Sequence, residues 1–183
     1  DPDGNFAWKI PFAKAYFVAE FKTGGGLSLG IATSQDLGKR HARLAQLTPE
    51  MRQRSEKVVA RLEAKGYKPK IVEALRTLEE QKKKVAEGKS QTLKSMHLSQ
   101  GGKGAAAIDL IDPKWGYDDS TKPAVEFFKE YGKISKDEGL TWGGDFLRKG
   151  KDGVKRPDKR TGYGWDPGHA ELREQTKKNK EKE

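Results

Sequence analysis

The sequence contains no cysteine and only three histidines, His41, His97 and His169. Without thiols there is no disulfide framework, no Cys-ligated zinc, no iron–sulfur centre and no thiol nucleophile. Any metal site must be built from His, Asp and Glu, and three imidazoles leave few constellations. No apolar run approaches the roughly 20 residues that span a bilayer. Hydrophobic residues make up 33% of the chain, so the core is modest, although aromatic residues at 9% can fill it. Charge is what the chain has in abundance: 37 Lys+Arg against 27 Asp+Glu in 183 residues, a net +10. That length suits one domain with extensions, or at most two small ones. The balance favours polyanionic partners such as nucleic acid, an anionic lipid surface or bacterial cell wall. However, the lysines interleave with glutamates, as in Glu79-Glu80-Gln81-Lys82-Lys83-Lys84, which is the pattern of a solvated helix face. The chain opens at Asp1 rather than at a methionine, which is compatible with removal of an upstream targeting segment.

Residues 1–34 differ from the rest. Ala15 to Phe21 and Leu27 to Thr33 are β-prone runs joined by Thr23-Gly-Gly-Gly26, which predicts a hairpin. A short helix or linker is expected over 35–47. Residues 1–47 therefore read as an N-terminal extension and a possible docking element, and residues 48–175 as the main domain. The charged stretch at 176–183 reads as a tail. Thr48 and Pro49 open a helix with Met51, Ser55, Val58, Val59 and Leu62 on one face, stopped by Gly66. Lys70 to Leu75 is a strand candidate. Thr77-Leu-Glu-Glu80 is a capping-box pattern for a helix ending at Gly88, with Leu78, Gln81 and Val85 on its inner face. A buried Gln81 amide requires a partner, because leaving it unpaired costs about 1–3 kcal/mol.

Ala106 to Ile111 is a second strand. A third helix starts at Ser120 or Thr121, with Val125, Phe128 and Tyr131 or Gly132 inward, and ends near Gly139. Leu140 to Trp142 and His169 to Leu172 are short strands, separated by a Gly143-Gly144 turn and a polar Gly/Lys-rich loop from Lys149 to Gly164. The connections lack regular βαβ spacing, so an α+β domain is expected, with helices packed on a small antiparallel sheet.

Asp109 interrupts the apolar strand Ala-Ala-Ile-Asp-Leu-Ile, where a carboxylate is costly unless it is paired or bound to a metal. His97 lies in the Gly/Ser-rich loop before that strand, and His169 opens another strand after Trp165-Asp166-Pro167-Gly168. Two imidazoles and a carboxylate are a normal three-ligand set for catalytic zinc, with the fourth position left for water. Asp166, three residues before His169, can serve as a general base and acid. Arg76, at a strand end before a capped helix, offers an always-charged fork to a carboxylate or an oxyanion. Each residue also has an ordinary explanation: a loop histidine, an aspartate paired with a lysine, or the turn chemistry of Asp-Pro-Gly.

Taken together and in order, several segments resemble one family. They are Glu73-Ala-Leu-Arg76-Thr77 with Glu80-Gln81, Ser95-Met-His97, Gly104-Ala-Ala-Ala-Ile-Asp109, Gly139-Leu-Thr-Trp-Gly-Gly-Asp145-Phe146 and Trp165-Asp166-Pro-Gly-His169-Ala-Glu171. The family is that of the zinc peptidoglycan peptidases, which includes D-alanyl-D-alanine carboxypeptidases and dipeptidases and the L-alanyl-D-glutamate endopeptidases of phage endolysins. The resemblance spans roughly residues 48–175. It implies a hedgehog/D-Ala-D-Ala-peptidase-like fold, with zinc on His97, Asp109 and His169 and with Asp166 as general base and acid. It also implies that Arg76 stabilises substrate or oxyanion, that Ser95 buttresses the ligand loop or touches substrate, and that Gln81 supports the site from behind. Asp rather than Glu at position 166 resembles the endopeptidase branch. The implied substrate is the peptidoglycan stem peptide, cut by a monomer working in the periplasm, outside the cell or from a phage or injection particle. A D,D-carboxypeptidase and a non-catalytic zinc-containing accessory protein are the alternatives.

Two departures stand out. The connection Leu98-Ser-Gln-Gly-Gly-Lys103 is longer than usual and is expected to reshape the pocket rim. The segment before residue 48 has no counterpart in the minimal enzyme. His41 falls outside the resemblance and reads as a surface residue. Trp142, Phe146 and Trp165 read as core or pocket wall. Asp145 reads as a hydrogen-bond acceptor near the site or a turn stabiliser, and Glu171 faces either the cleft or the opposite side of its strand. Neither nucleic-acid binding nor a membrane span is expected.

Overall fold

The computed structural model describes residues 35–173 except 91, together with the backbone of residues 7–8, 15–18 and 30–34. In chain order the strands are β1 (Ala7–Trp8), β2 (Ala15–Val18) and β3 (Gly30–Thr33), followed by helices α1 (Ser34–Ala45) and α2 (Pro49–Glu63). Then come β4 (Lys70–Glu73), α3 (Leu78–Ala86), β5 (Ala107–Ile111) and α4 (Lys122–Asp137). The chain closes with β6 (Thr141–Trp142), a single 3-10 turn (Gly143–Asp145), β7 (Arg148–Lys149), β8 (Lys155–Arg156) and β9 (His169–Glu171). The expected tail at 176–183 lies outside the described residues.

The two β-prone runs of the extension do pair, with Ala15 opposite Thr33 and Val18 opposite Gly30 in an antiparallel ladder, and β1 adds a third strand. Helix α1 is tied to the elements C-terminal to it. Leu44 and Leu47 are buried in the same apolar cluster as α2 and β5, Arg40 pairs with Glu63 at 2.7 Å, and Thr48 N donates to Ala105 O.

Helix α2 starts where Thr48 accepts from Met51 N and Pro49 fills the first turn, and the five residues expected on its inner face are all buried. Its arginines bind the C-terminal end of α4. Arg61 pairs with Asp137 and Glu138, while Arg54 donates to the carbonyls of Glu138 and Gly139, satisfying groups that a helix end leaves open. The capping box of α3 is present, with Thr77 and Glu80 exchanging bonds. Of the three residues expected on its inner face, Gln81 is fully buried and Val85 half-buried, whereas Leu78 is 50% exposed. Packing, not apolar character, decides that helix's rotation, because the Gln81 side chain is held by the polar partners Arg76, Ser90 and Thr92.

The main sheet has the order β4-β5-β9-β6 and is antiparallel throughout, giving the expected α+β architecture. Trp142 packs on α4 at Gly132, where any Cβ would collide with the indole ring. The Lys149–Gly164 segment, expected as loop, contributes to the β7–β8 hairpin, in which Arg148 faces Arg156 and Lys149 faces Lys155. Among the described residues, no helix is long and apolar enough to cross a membrane.

Candidate metal centre and catalytic cavity

Sheet register builds the centre. Glu73 of β4, Asp109 of β5 and His169 of β9 are direct cross-strand partners, so their side chains rise in one row from one face. His97 arrives from the loop between α3 and β5. That loop is pinned on both sides: Arg76 N donates to His97 O at 2.9 Å and Ala106 N donates to Met96 O at 2.8 Å. Ser95 Oγ accepts the His97 backbone N–H at 3.2 Å. His169 is set by the turn before it, where its N–H donates to Asp166 O at 3.1 Å and Trp142 Nε1 donates to Pro167 O at 2.8 Å.

The three side chains converge. His97 Nε2 lies 3.1 Å from Asp109 Oδ1 and 3.2 Å from His169 Nδ1, and His169 Nδ1 lies 3.0 Å from Asp109 Oδ1. The outer nitrogens identify the inner ones. His97 Nδ1 is 2.7 Å from the Ala74 carbonyl, which only accepts, so Nδ1 carries the proton and Nε2 a lone pair. His169 Nε2 is 3.0 Å from Glu171 Oε2, which places the proton there and a lone pair on Nδ1. Asp109 completes the group as an ionised carboxylate. Burial opposes its charge, whereas positive charge and N–H donation from the two histidines hold it well below the usual range, so a cation at this position, a proton or a metal, keeps it ionised. Three lone pairs about 3 Å apart repel one another unless a cation sits between them.

A tetrahedral ion with donors at about 2.0–2.1 Å would separate those donors by roughly 3.3 Å, close to the observed triangle. The donor set therefore fits a metal ion, and His97, Asp109 and His169 can hold one. A proton competes for the same place. Burial disfavours it, but Asp109 and Glu171 push the His169 imidazole up to about 10.

The centre opens into a cavity of about 730 Å³, within the range of small-molecule and peptide sites. Asp166 lines it, and no described residue hydrogen-bonds its carboxylate. Burial raises the Asp166 pKa, with the nearby Asp109 charge adding to the effect and His169 opposing it. Gly143 lets the 3-10 turn approach this residue, since a Cβ there would overlap Asp166 O.

Arg76 also lines the cavity and is 7% exposed. Its Nε and Nη2 bind both oxygens of Glu73 at 2.8 and 2.7 Å, and its Nη1 donates to Gln81 Oε1. The Gln81 amide nitrogen in turn donates to Ser90 Oγ at 2.9 Å and to Thr92 O, so the buried amide is satisfied. Lys84 adds a second cation to Glu73 at 2.6 Å. Arg76 is thus a fork held rigid by its carboxylate.

Several wall residues carry no signal that sequence reasoning assigned. Tyr117, 59% exposed, lines the cavity next to Gly168. Arg148 and Arg173 line the cavity as well, lying over Trp165 and Phe146 respectively. A basic residue two positions beyond the Trp-Gly-Gly-Asp-Phe segment was the available signal for Arg148. Glu171, for which the sequence allowed two orientations, turns toward His169. Phe146 and Trp165 are cavity wall, whereas Trp142 is buried core at 5% exposure. Asp145 pairs with Lys136 at 3.3 Å and His41 is exposed on α1; neither lines the cavity. No residue of the 98–103 connection lines it either. That connection folds into its own turn, with Gln100 N donating to Gly104 O at 2.8 Å, and Gln100 Nε2 donates to the carbonyl of Ser95, which does line the cavity.

No curated protein matches the chain. A solved structure, that of the Serratia marcescens L-Ala D-Glu endopeptidase ChiX, is similar at 20% identity. The similarity covers 73% of this chain and 86% of that one, with a TM-score of 0.45. The sequence profile described as phage L-alanyl-D-glutamate peptidase matches residues 34–173, well over half of the chain and inclusive of every residue of the convergent centre. An α+β domain that aims two imidazole lone pairs and a carboxylate at one point is thus a peptidase by descent, and the chain belongs to the phage L-alanyl-D-glutamate peptidase family.

Proposed function

We propose that the protein is a zinc-dependent peptidoglycan endopeptidase that hydrolyses the bond between L-alanine and D-glutamate in the stem peptide. The observation that carries this reading is the lone-pair triangle of His97, Asp109 and His169 in a chain of this family. These three residues would hold the ion. When bound, zinc supplies a Lewis acid for the scissile carbonyl and lowers the pKa of water.

The chain's own groups do the rest. Asp166, an unpaired carboxylate at the cavity wall, takes the proton of the attacking water and passes it to the departing amine. Its raised pKa suits both halves of that transfer. Arg76 presents a fixed positive charge to the substrate or to the developing oxyanion, with Glu73 and Gln81 preventing it from swinging away. Ser95 holds the His97 loop. Residues 1–47 act as a docking extension, and the chain works as a monomer outside the cytoplasm or on arrival with a lytic particle.

Digestion of purified peptidoglycan, with identification of the new amino termini, tests the reading. New glutamate amino termini are expected. Release of free D-alanine would mark a D,D-carboxypeptidase instead, and zinc binding without any product would mark an accessory protein.

A further inference from the structure

The wall of the cavity beyond His169 is a ladder of rings and guanidinium groups. The Phe146 ring lies 5.8 Å from the His169 ring, Trp165 lies 6.2 Å from Phe146, and the Arg148 guanidinium lies 5.6 Å over Trp165. Arg148 differs from the other arginines lining the cavity. Arg76 is bound to Glu73 and Arg173 to Glu171, whereas no described carboxylate pairs with Arg148. A guanidinium stacked on an indole keeps its edge free, and that edge matches a carboxylate with two parallel bonds.

The hairpin that carries Arg148 points the same way. Its two cross-strand pairs, Arg148 with Arg156 and Lys149 with Lys155, place like charges directly opposite each other, which destabilises a ladder. Asp152 compensates Arg156 at 2.7 Å, whereas Arg148 opposite it has no described carboxylate; Lys149 and Lys155 project from the other face of the hairpin. A two-stranded hairpin has little stability to spare, so an anion at Arg148 relieves the repulsion left in that pair.

We infer that Arg148 is a specificity-determining residue that binds a free carboxylate of the stem peptide lying beyond the glutamate. This rests on the endopeptidase reading above. The position follows from the ladder: Phe146 and Trp165 lie between His169 and Arg148 at successive separations of 5.8, 6.2 and 5.6 Å, so an extended peptide at about 3.4 Å per residue reaches Arg148 within about five residues of the metal centre. Two groups offer that chemistry. One is the side-chain carboxylate of a diaminodicarboxylic acid such as diaminopimelate, which lysine lacks; the other is the C-terminal carboxylate of the peptide.

The test uses four synthetic stem peptides with the alanyl–glutamyl bond intact. They carry diaminopimelate or lysine after the glutamate, each with a free or an amidated C-terminus. Cleavage by the zinc-loaded protein is compared with that by Arg148→Gln and Arg148→Lys. The wild type is expected to favour one carboxylate-bearing series by about tenfold or more in kcat/KM, the factor supplied by one charge-assisted pair. The series favoured, side-chain or C-terminal, identifies the source. Arg148→Gln is expected to remove that preference by slowing the favoured peptides by about tenfold more than the peptide lacking both carboxylates. Arg148→Lys is expected to keep part of the preference. Equal cleavage of all four peptides by the wild type, or an equal loss on all four in Arg148→Gln, would overturn the inference alone. Failure of the wild type to cleave any of them would overturn the endopeptidase reading and the inference with it.

Discussion

Glu171 Oε2 lies 3.0 Å from His169 Nε2, and this contact decides which nitrogen of His169 faces Asp109. Two residues apart on β9, both side chains emerge on the same face of the sheet, so the carboxylate behind the imidazole comes from the strand's own periodicity. It fixes the tautomer and makes Nδ1 the better donor to a cation. Replacing Glu171 by Gln should therefore weaken metal binding by about 10- to 100-fold with the fold intact. Competition against a chelator of known affinity measures it, and an unchanged affinity would remove Glu171 from the site.

Metal removal should abolish hydrolysis and lower the melting temperature, and zinc should restore both. At a free zinc concentration a hundred times the Kd, the stabilisation should be about 2.7 kcal/mol. His97→Ala and Asp109→Ala should show neither the stabilisation nor the recovery, since each leaves only two donors.

Asp166→Asn should lower kcat by about 10²- to 10⁴-fold while zinc content stays at the wild-type level. The pH profile gives a second readout. Because burial raises the Asp166 pKa, protonation removes the base at a pH above the ordinary aspartate range, and the acid limb of kcat/KM should fall there. That limb should be missing from the residual activity of Asp166→Asn.

Gly143→Ala should reduce kcat far more than it reduces stability. The new Cβ meets the backbone oxygen of Asp166 and the Cβ of His169, so the 166–169 turn must shift. Displacement of a catalytic group by about 1 Å is enough to cost on the order of 10²-fold. A crystal structure of the variant with an unmoved turn would contradict this account.

Glu73→Gln should destabilise the protein by about 1–3 kcal/mol at neutral pH, because Arg76 would lose its carboxylate partner inside the fold. Burial pushes the Glu73 pKa up, but the bonds from Arg76 and Lys84 hold it below its ordinary 4.5. A depressed carboxylate pKa stabilises the fold above the unfolded value, and that stability disappears as the pH falls through the folded value. The stability gap between wild type and variant should thus be full above about pH 5 and should narrow below 4.5. Urea titrations across that range measure it.

Local signals were legible wherever a single segment contained them. The Thr48-Pro49 start of α2, its buried face and the Thr77–Glu80 capping box were all readable, because caps and helical periodicity depend only on near neighbours. The apolar setting of Asp109 was readable for the same reason. The β7–β8 hairpin was not, since two-residue strands carrying opposed cations show no apolar alternation. The burial of Gln81 on α3 was legible, but the exposure of Leu78 was not, because Leu78 has the character of a core residue. Instead the polar triad of Gln81, Ser90 and Thr92, joined to Arg76, holds the helix against the protein, and Leu78 is left in solvent.

The sequence by itself determined which groups are available for chemistry. With no cysteine and three histidines, two of them flanking an aspartate in an apolar strand, few other metal centres could be assembled. Only the tertiary structure decided how those groups meet. The antiparallel register sets Asp109 opposite His169, the Ala74 carbonyl and Glu171 turn the imidazole lone pairs inward, and Arg76 is locked while Arg148 is left open. Residues up to 72 positions apart make these contacts, and their geometry depends on strand pairing and packing that no single segment encodes.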